Sequence, residues 1–107
     1  MRLDQISSCV ASNNFRLTAH AEFERTADQI TLTEIKESLL SARLKIVEDY
    51  PNDPRGSSCL AVGFTKKNMP IHVVCGMGDS GTLIIITIYR PDPQEWSQWD
   101  ARKEQKL

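Results

Sequence analysis

The pattern of apolar and polar residues predicts a β-hairpin at the centre of the chain. Two runs rich in β-branched residues, Ile71–Cys75 and Thr82–Tyr89, flank the segment 76–81, whose three glycines and Asp79 are typical of a hairpin loop. The second run is almost continuously apolar, as expected of a strand that is covered on both faces. We therefore expect this hairpin to lie in the middle of a sheet.

A few polar residues interrupt the apolar pattern of the hairpin. Pairing of Cys75 with Thr82 would place His72 opposite Ile85. Side chains alternate between the two faces along a strand, which determines the other residues on the same side. This register predicts that one face of the sheet carries a histidine, a threonine and a tyrosine, namely His72, Thr87 and Tyr89.

Two short helices are predicted at the start of the chain. Apolar residues recur at helical spacing from Leu3 to Ala11. Thr18 is a suitable amino-terminal cap for a second helix over residues 19–28. The apolar side of the second helix would consist of residues at a spacing of four, namely Ala19, Phe23 and Ala27.

A third helix and two further strands precede the hairpin. Thr31 and Glu34 form a capping box, which is a strong local signal for the start of a helix. A strand is predicted around residues 44–47, and another over residues 58–65. The second of these alternates bulky with small residues, so that one of its faces is bulky and the other is small.

The predicted fold is an α+β domain. The Pro-Asp-Pro segment after the hairpin ends the last strand, and a final helix bearing Trp96 and Trp99 is expected to follow. The order is three helices, four strands and one helix, with the helices on one face of a four-stranded, mainly antiparallel sheet. We expect residues 1–107 to form one domain with a polar tail over residues 101–107.

Composition limits the possible functions. Hydrophobic residues make up 40% of the chain and charged residues 25%, which is typical of a globular domain. The amino-terminal segment has no secretory signal and no run is long enough to span a membrane, so a cytoplasmic location is expected. The net charge of −1 weighs against a general nucleic-acid binder, because phosphate binding usually requires a strongly basic face.

The cysteines do not indicate a metal site. Cys9, Cys59 and Cys75 are odd in number and widely spaced, so we expect reduced and mostly buried thiols. A site built from Cys59, Cys75, His20 and His72 would lack the close pair of ligands that usually marks a metal centre. We therefore expect neither a metal ion nor another cofactor.

Five segments of the chain together resemble a known family. They are Thr-Ala-His-Ala21, Ile30-Thr-Leu-Thr, Tyr50-Pro-Asn-Asp-Pro-Arg-Gly, Pro70-Ile-His-Val-Val and Ile88-Tyr-Arg-Pro-Asp-Pro-Gln-Glu-Trp96. Their order and spacing, over residues 15–100, resemble the DUF4258 family, a domain of unknown function. That family is in turn similar to the RelE and ParE toxins, and above all to BrnT-type toxins. The resemblance implies a RelE-like sheet with helices on one side.

The resemblance also implies a reaction. RNase members of those toxin families cleave RNA by attack of a ribose 2′-hydroxyl on the adjacent phosphate, without a metal ion. The candidate catalytic residues for such a reaction are His20, His72, Tyr89, Arg90 and Arg25. Either histidine could act as the base, and the position of His20 in the first turn of a helix favours a neutral imidazole. The arginines would stabilise the phosphate and the tyrosine would orient it. The family often has a basic residue four positions after the first histidine, where this chain has Glu24.

Each candidate also has a structural interpretation. His20 could bond to a strand and fix the position of its helix, and His72 could be a buried, fully bonded histidine. Tyr89 could pack on Trp96, and Arg90 could pair with a nearby carboxylate. The second hypothesis is therefore a non-catalytic module that binds an antitoxin-like protein, whereas the first predicts RNA as the partner. The enzyme hypothesis loses most of its support if the two histidines lie on opposite sides of the sheet.

Overall fold

Three helices pack on one face of a five-stranded sheet in the computed structural model, which describes residues 1–103. The helices are α1 (Leu3–Ala11), α2 (Ala19–Ala27) and α3 (Leu32–Leu39). The strands of the main sheet are β1 (Phe15–Leu17), β2 (Lys45–Tyr50), β3 (Ser58–Phe64), β4 (Pro70–Met77) and β5 (Leu83–Tyr89). Their order is β1-β5-β4-β3-β2, and only the β1–β5 pair is parallel. The predicted α+β class is confirmed.

Two elements differ from the prediction. The main sheet has five strands instead of four, because residues 15–17 pair with β5 as a parallel edge strand. The predicted last helix is a small hairpin of β6 (Trp96–Ser97) and β7 (Ala101–Arg102). Gln98 and Trp99 have φ angles of 51° and 69°, which no right-handed helix accommodates. The RelE-like order of three helices, four strands and one helix is therefore not reproduced.

The predicted register of the central hairpin is also wrong. Strand β4 runs two residues further than expected, and Cys75 pairs with Ile85 instead of Thr82. An irregularity between Val74 and Cys75 then shifts the ladder. As a result His72 lies directly opposite Tyr89 and not opposite Ile85. The correction brings the histidine and the tyrosine closer together than the sequence suggested.

The small face of β3 is the face on which the helices pack. Cys59 and Ala61 belong to the core on this side, and both are fully buried. Gly63 continues the face and allows α3 to approach very closely, since a Cβ atom there would lie 2.0 Å from the backbone oxygen of Ser38. The alternation of bulky and small residues along β3 thus reflects the narrow space between α3 and this face of the sheet.

The predicted buried side of α2 is wrong. Phe23 is 76% exposed, and Ala19 and Ala27 are also exposed. The helix instead buries Ala21 completely and turns Glu24 towards the sheet. The apolar stripe of this helix therefore faces solvent.

The carboxyl-terminal end of the described chain adds little to the core. The predicted polar tail, residues 101–107, contributes Ala101–Arg102 to β7, and residues 104–107 lie outside the described part of the chain. Over residues 1–103, no helix combines the length and the apolar character that crossing a bilayer requires.

Substitution of Gly63 by Ala tests the close approach of α3 to β3. The added methyl group would overlap the backbone of Ser38, so we expect Gly63→Ala to lower the free energy of unfolding by about 3 kcal/mol. At Gly78 the nearest atom to an added Cβ is 3.3 Å away, and Gly78→Ala should cost less than about 1 kcal/mol. Urea unfolding measures both values. Equal losses in the two variants would contradict this packing.

Candidate functional site

The five predicted site residues lie on opposite faces of the sheet. Ile71 and Val73 point into the core beneath the helices, so His72 between them points to the other side, which we call the open face. Tyr89 lies opposite His72 and shares that face. The other three predicted residues belong to the helical side of the sheet: His20 and Arg25 lie in α2, and Arg90 bonds the end of α2 and the start of α3. The structure therefore does not assemble the five side chains into one site.

His20 occupies the first turn of α2, as predicted. Thr18 caps the helix by accepting a hydrogen bond from the backbone of Ala21 at 3.1 Å. The His20 side chain is 66% exposed, and its Nε2 lies 3.2 Å from Oε1 of Glu24. The same oxygen accepts a hydrogen bond from the backbone N–H of Ile88 at 3.1 Å. His20 thus contacts β5 indirectly, through the Glu24 carboxylate, which already bonds α2 to that strand.

Side chains at the ends and in the middle of α2 bond the backbone of β5. We call this contact the α2–β5 seam. The seam begins where β1 ends. Beyond that point the backbone groups on this edge of β5 have no neighbouring strand with which to pair. The bonds are those from Thr18 Oγ1 to Ile86 O (3.1 Å), from Ile88 N to Glu24 (3.1 Å) and from Arg90 N to Asp28 (3.0 Å). The seam explains why α2 turns polar residues towards the sheet.

The guanidinium of Arg90 extends the seam to α3. Its Nε donates to the backbone oxygen of Asp28 and its Nη2 to that of Gln29, both at 3.1 Å. Nη2 also lies 3.3 Å from a carboxylate oxygen of Glu34. The pKa of Glu34 is lowered, first by its bond from the Thr31 backbone and then by Arg90. Arg90 therefore stabilises the end of α2 and the start of α3.

Arg25 has a similar structural role. Its Nη1 donates to the backbone oxygen of Ile30 at 3.2 Å, and its Nε donates to Glu22 at 2.9 Å. These bonds connect the last turn of α2 to the segment that leads into α3. Both arginines that were predicted to stabilise a phosphate are thus bonded to their own chain.

His72 is completely buried on the open face. Its Nε2 lies 2.8 Å from the backbone oxygen of Trp99, and its Nδ1 lies 3.2 Å from the hydroxyl of Tyr89. Because a carbonyl can only accept, Nε2 carries the proton. Burial lowers the pKa of the ring, so the neutral form prevails and Nδ1 accepts from Tyr89. Trp96 packs edge-on against the ring, with centroids 4.5 Å apart.

Sequence reasoning missed three residues around this histidine. Glu48 accepts bonds from Arg102 at 2.8 and 3.1 Å and a short bond from the Tyr50 hydroxyl. The pKa of Glu48 is lowered, mainly by Arg102. Burial, followed by the bond to Glu48, raises the pKa of Tyr50 to about 12. The open-face cluster comprises Glu48, Tyr50, His72, Tyr89, Trp96 and Arg102.

Part of the open-face cluster could be detected in the sequence. Glu48 and Tyr50 are two residues apart just after the strand predicted around residues 44–47, and an extension of that strand would place them on the same face. Arg102 could not be assigned to them, since it lies in the predicted tail and reaches Glu48 only because of the β6–β7 hairpin. Its guanidinium also lies 4.6 Å from the centre of the Trp96 ring. The hairpin thus covers the cluster and is bonded to it.

The polar groups of the open-face cluster already have hydrogen-bond or ion-pair partners within the protein. Both ring nitrogens of His72 and the carboxylate of Glu48 have partners.

The sulfurs of Cys59 and Cys75 are 3.9 Å apart in the core, on the other face of the sheet from His72. Among the described residues, no three His, Cys, Asp or Glu side chains are placed to hold a metal ion.

The contacts of Arg90 predict that its removal will affect stability. In Arg90→Ala the acceptors on Asp28, Gln29 and Glu34 lose their donor, and we expect the free energy of unfolding to fall by about 1–2 kcal/mol. Arg16 is an exposed residue of β1, so Arg16→Ala should change stability by less than about 0.5 kcal/mol. Denaturant titration compares the two. An Arg90→Ala variant as stable as the wild type would refute the structural role.

Burial of His72 predicts a loss of stability on acidification. The pKa of its ring lies below the ordinary value of 6.5, mainly because burial disfavours the imidazolium. The unfolded chain therefore takes up a proton more readily than the folded protein, and stability that is complete above the ordinary value is lost as the pH falls below it. We expect the free energy of unfolding from urea titrations to decrease from about pH 7 to about pH 5.

Two matched variants identify the histidine responsible. His72→Gln should remove most of the pH dependence, whatever its effect on stability at neutral pH, and His20→Gln should retain it. The charged or titratable groups nearest His72 are Glu48, Tyr89 and Arg102. Glu48 titrates below its ordinary value of 4.5, so it contributes only in more acidic solution. The same slope in His72→Gln and the wild type would exclude His72 as the cause.

No curated protein and no solved structure gives a significant match. A family model described as "Domain of unknown function (DUF4258)" matches residues 17–90, which is well over half of the chain. The matched region contains α2, α3 and the four strands from β2 to β5. The chain therefore belongs to the DUF4258 family.

Proposed function

We propose that the protein is a non-catalytic module that binds another protein. The observation that carries this proposal is that the side chains suited to catalysis are engaged within the fold. Arg25 and Arg90 donate to backbone oxygens, and His72 is buried with both nitrogens bonded. Of the five predicted residues, His20 alone has a mostly exposed side chain, and the predicted cationic partners do not accompany it.

Exposed apolar side chains also support a binding function. Several large hydrophobic residues are at least two-fifths exposed although the chain has a well-packed core. They are Leu3, Phe23, Leu32, Leu40 and Met69. Burial of such side chains against a partner is favourable, by about 25 cal/mol for each Å² of apolar surface. On the toxin resemblance that the sequence implies, this partner would be an antitoxin-like protein.

A metal-independent endoribonuclease of the RelE or BrnT kind is the second candidate. The open-face cluster favours it, because a carboxylate, an imidazole, two phenols and a guanidinium lie together there. Such groups can transfer protons and stabilise a phosphate. In this candidate Glu48 and Arg102 take the roles that the sequence suggested for His20 and Arg90. The β6–β7 hairpin would have to leave the sheet before RNA could reach His72.

Induced expression in a bacterial host distinguishes the two candidates. For a binding module we expect unchanged growth and intact RNA with the wild type, as with Glu48→Gln and His72→Ala variants. In cells of the native host, a photo-reactive amino acid at position 23, 32 or 40 should give a discrete cross-linked protein. The same probe at the exposed Asp79 serves as the control.

RNA cleavage by the wild type, abolished in Glu48→Gln, would favour the nuclease and contradict the binding module. Absence of any cross-link from positions 23, 32 and 40 would also count against the module. The folded state of each variant can be verified by circular dichroism, so that loss of activity is not confused with loss of structure.

A further inference from the structure

Four of the cations that have no ion-pair partner within residues 1–103 lie at the end of the sheet where the β3–β4 turn is located. Lys36 at the end of α3, Arg43 in the following turn, and Lys66 and Lys67 in the β3–β4 turn have no ion-pair partner within residues 1–103. By contrast, every arginine of the α2–β5 seam and of the open-face cluster is paired. The protein as a whole is slightly acidic, so this end differs in sign from the average surface.

These charges border a groove with an apolar floor. The groove lies between α3 and the β3–β4 turn, has a volume of about 500 Å³, and we call it the α3 groove. Lys36 and Lys66 line it, together with Leu40 and Phe64. Leu40 is 47% exposed, and the stems of the two lysines extend the apolar surface. The space is adequate for one bulky side chain of a partner.

We propose that the α3 groove binds an acidic segment of a partner protein, with one bulky apolar residue seated between Leu40 and Phe64. This inference rests on the proposed function and specifies the partner's chemistry. Carboxylates on either side of the apolar residue would pair with Lys36 and Lys66. One carboxylate of this chain, Glu37, lies in the groove, and its Oε1 accepts from the backbone N–H of Lys66 at 3.2 Å.

The same observations favour a protein segment over RNA. Single-stranded RNA is usually held by stacking of bases on exposed aromatic rings. Phe64 is only 9% exposed, and the guanidinium of Arg43 lies 3.6 Å from the centre of its ring. One face of this ring is thus covered, and little of the rest is accessible to a stacking base.

Short fluorescein-labelled peptides test the inference directly. The main probe is a glutamate-rich peptide with one central tryptophan, and the comparison probes are the same peptide with serine at the centre, a lysine-rich peptide and an oligouridylate. We expect the acidic tryptophan peptide to bind best, more weakly at high salt, and to shift the amide NMR signals of α3 and the β3–β4 turn. Fluorescence anisotropy gives the affinities.

Matched variants locate the binding site. The double variant Lys36→Glu, Lys66→Glu should weaken binding of the acidic tryptophan peptide by about tenfold. Leu40→Ser should remove the advantage of tryptophan over serine. The controls are Arg16→Glu, at an exposed cation on the edge strand β1, and Asp79→Ser, at an exposed position between β4 and β5. Both controls should bind like the wild type.

Three results would overturn the inference. They are equal affinity in the groove variants and the controls, tighter binding of the oligouridylate than of any peptide, and absence of amide shifts in the groove with every acidic peptide. If a cross-link from position 23 or 32 in the native host persists in Lys36→Glu, Lys66→Glu, the binding module stands and only the acidic partner is wrong. Loss of that cross-link together with RNA cleavage would reject the module itself.

Discussion

The bonding of the β5 backbone by α2 is the constraint on which the rest of the structure depends. Strand β1 covers only the first half of β5, and the remaining edge needs hydrogen-bond partners because an unpaired buried backbone group costs about 1–3 kcal/mol. Thr18, Glu24 and Asp28 supply them. Their spacing along α2 fixes which side of the helix faces the sheet, and Arg90 then joins the end of that helix to α3.

This constraint explains why the apolar periodicity of α2 predicts the wrong buried side of that helix. The stripe of Ala19, Phe23 and Ala27 is a regular apolar face, and such a face is normally buried. In α2 the side that bonds β5 carries carboxylates, so Phe23 turns to solvent. A sequence pattern records the polarity of a residue but not the distant backbone group to which it bonds. The partner of Glu24 is 64 residues away, and no local signal indicates it.

Elements with local signals were predictable, and those with distant partners were not. The capping box of Thr31 and Glu34, the Thr18 cap and the small face of β3 are visible within a few residues, and the structure confirms them. The parallel strand β1 and the ladder irregularity near Val74 depend on pairing across the sheet. The β6–β7 hairpin requires a tryptophan with positive φ, which composition alone would not suggest. The site followed the same rule, since the shared face of His72 and Tyr89 was predicted, whereas their distant neighbours Glu48 and Arg102 were not.

Residue type alone therefore overstates how much chemistry this chain has available. The guanidinium of Arg90 bonds two carbonyl oxygens and a carboxylate through Nε and Nη2, so gripping a phosphate with those two nitrogens would break bonds of the seam. His72 would similarly have to leave Trp99 and Tyr89 before it could exchange a proton with a substrate. At both Arg90 and His72, the groups that catalysis would use are the groups that stabilise the fold. The lysines of the α3 groove are free of that conflict, which is why function is better sought among charges that the fold does not use.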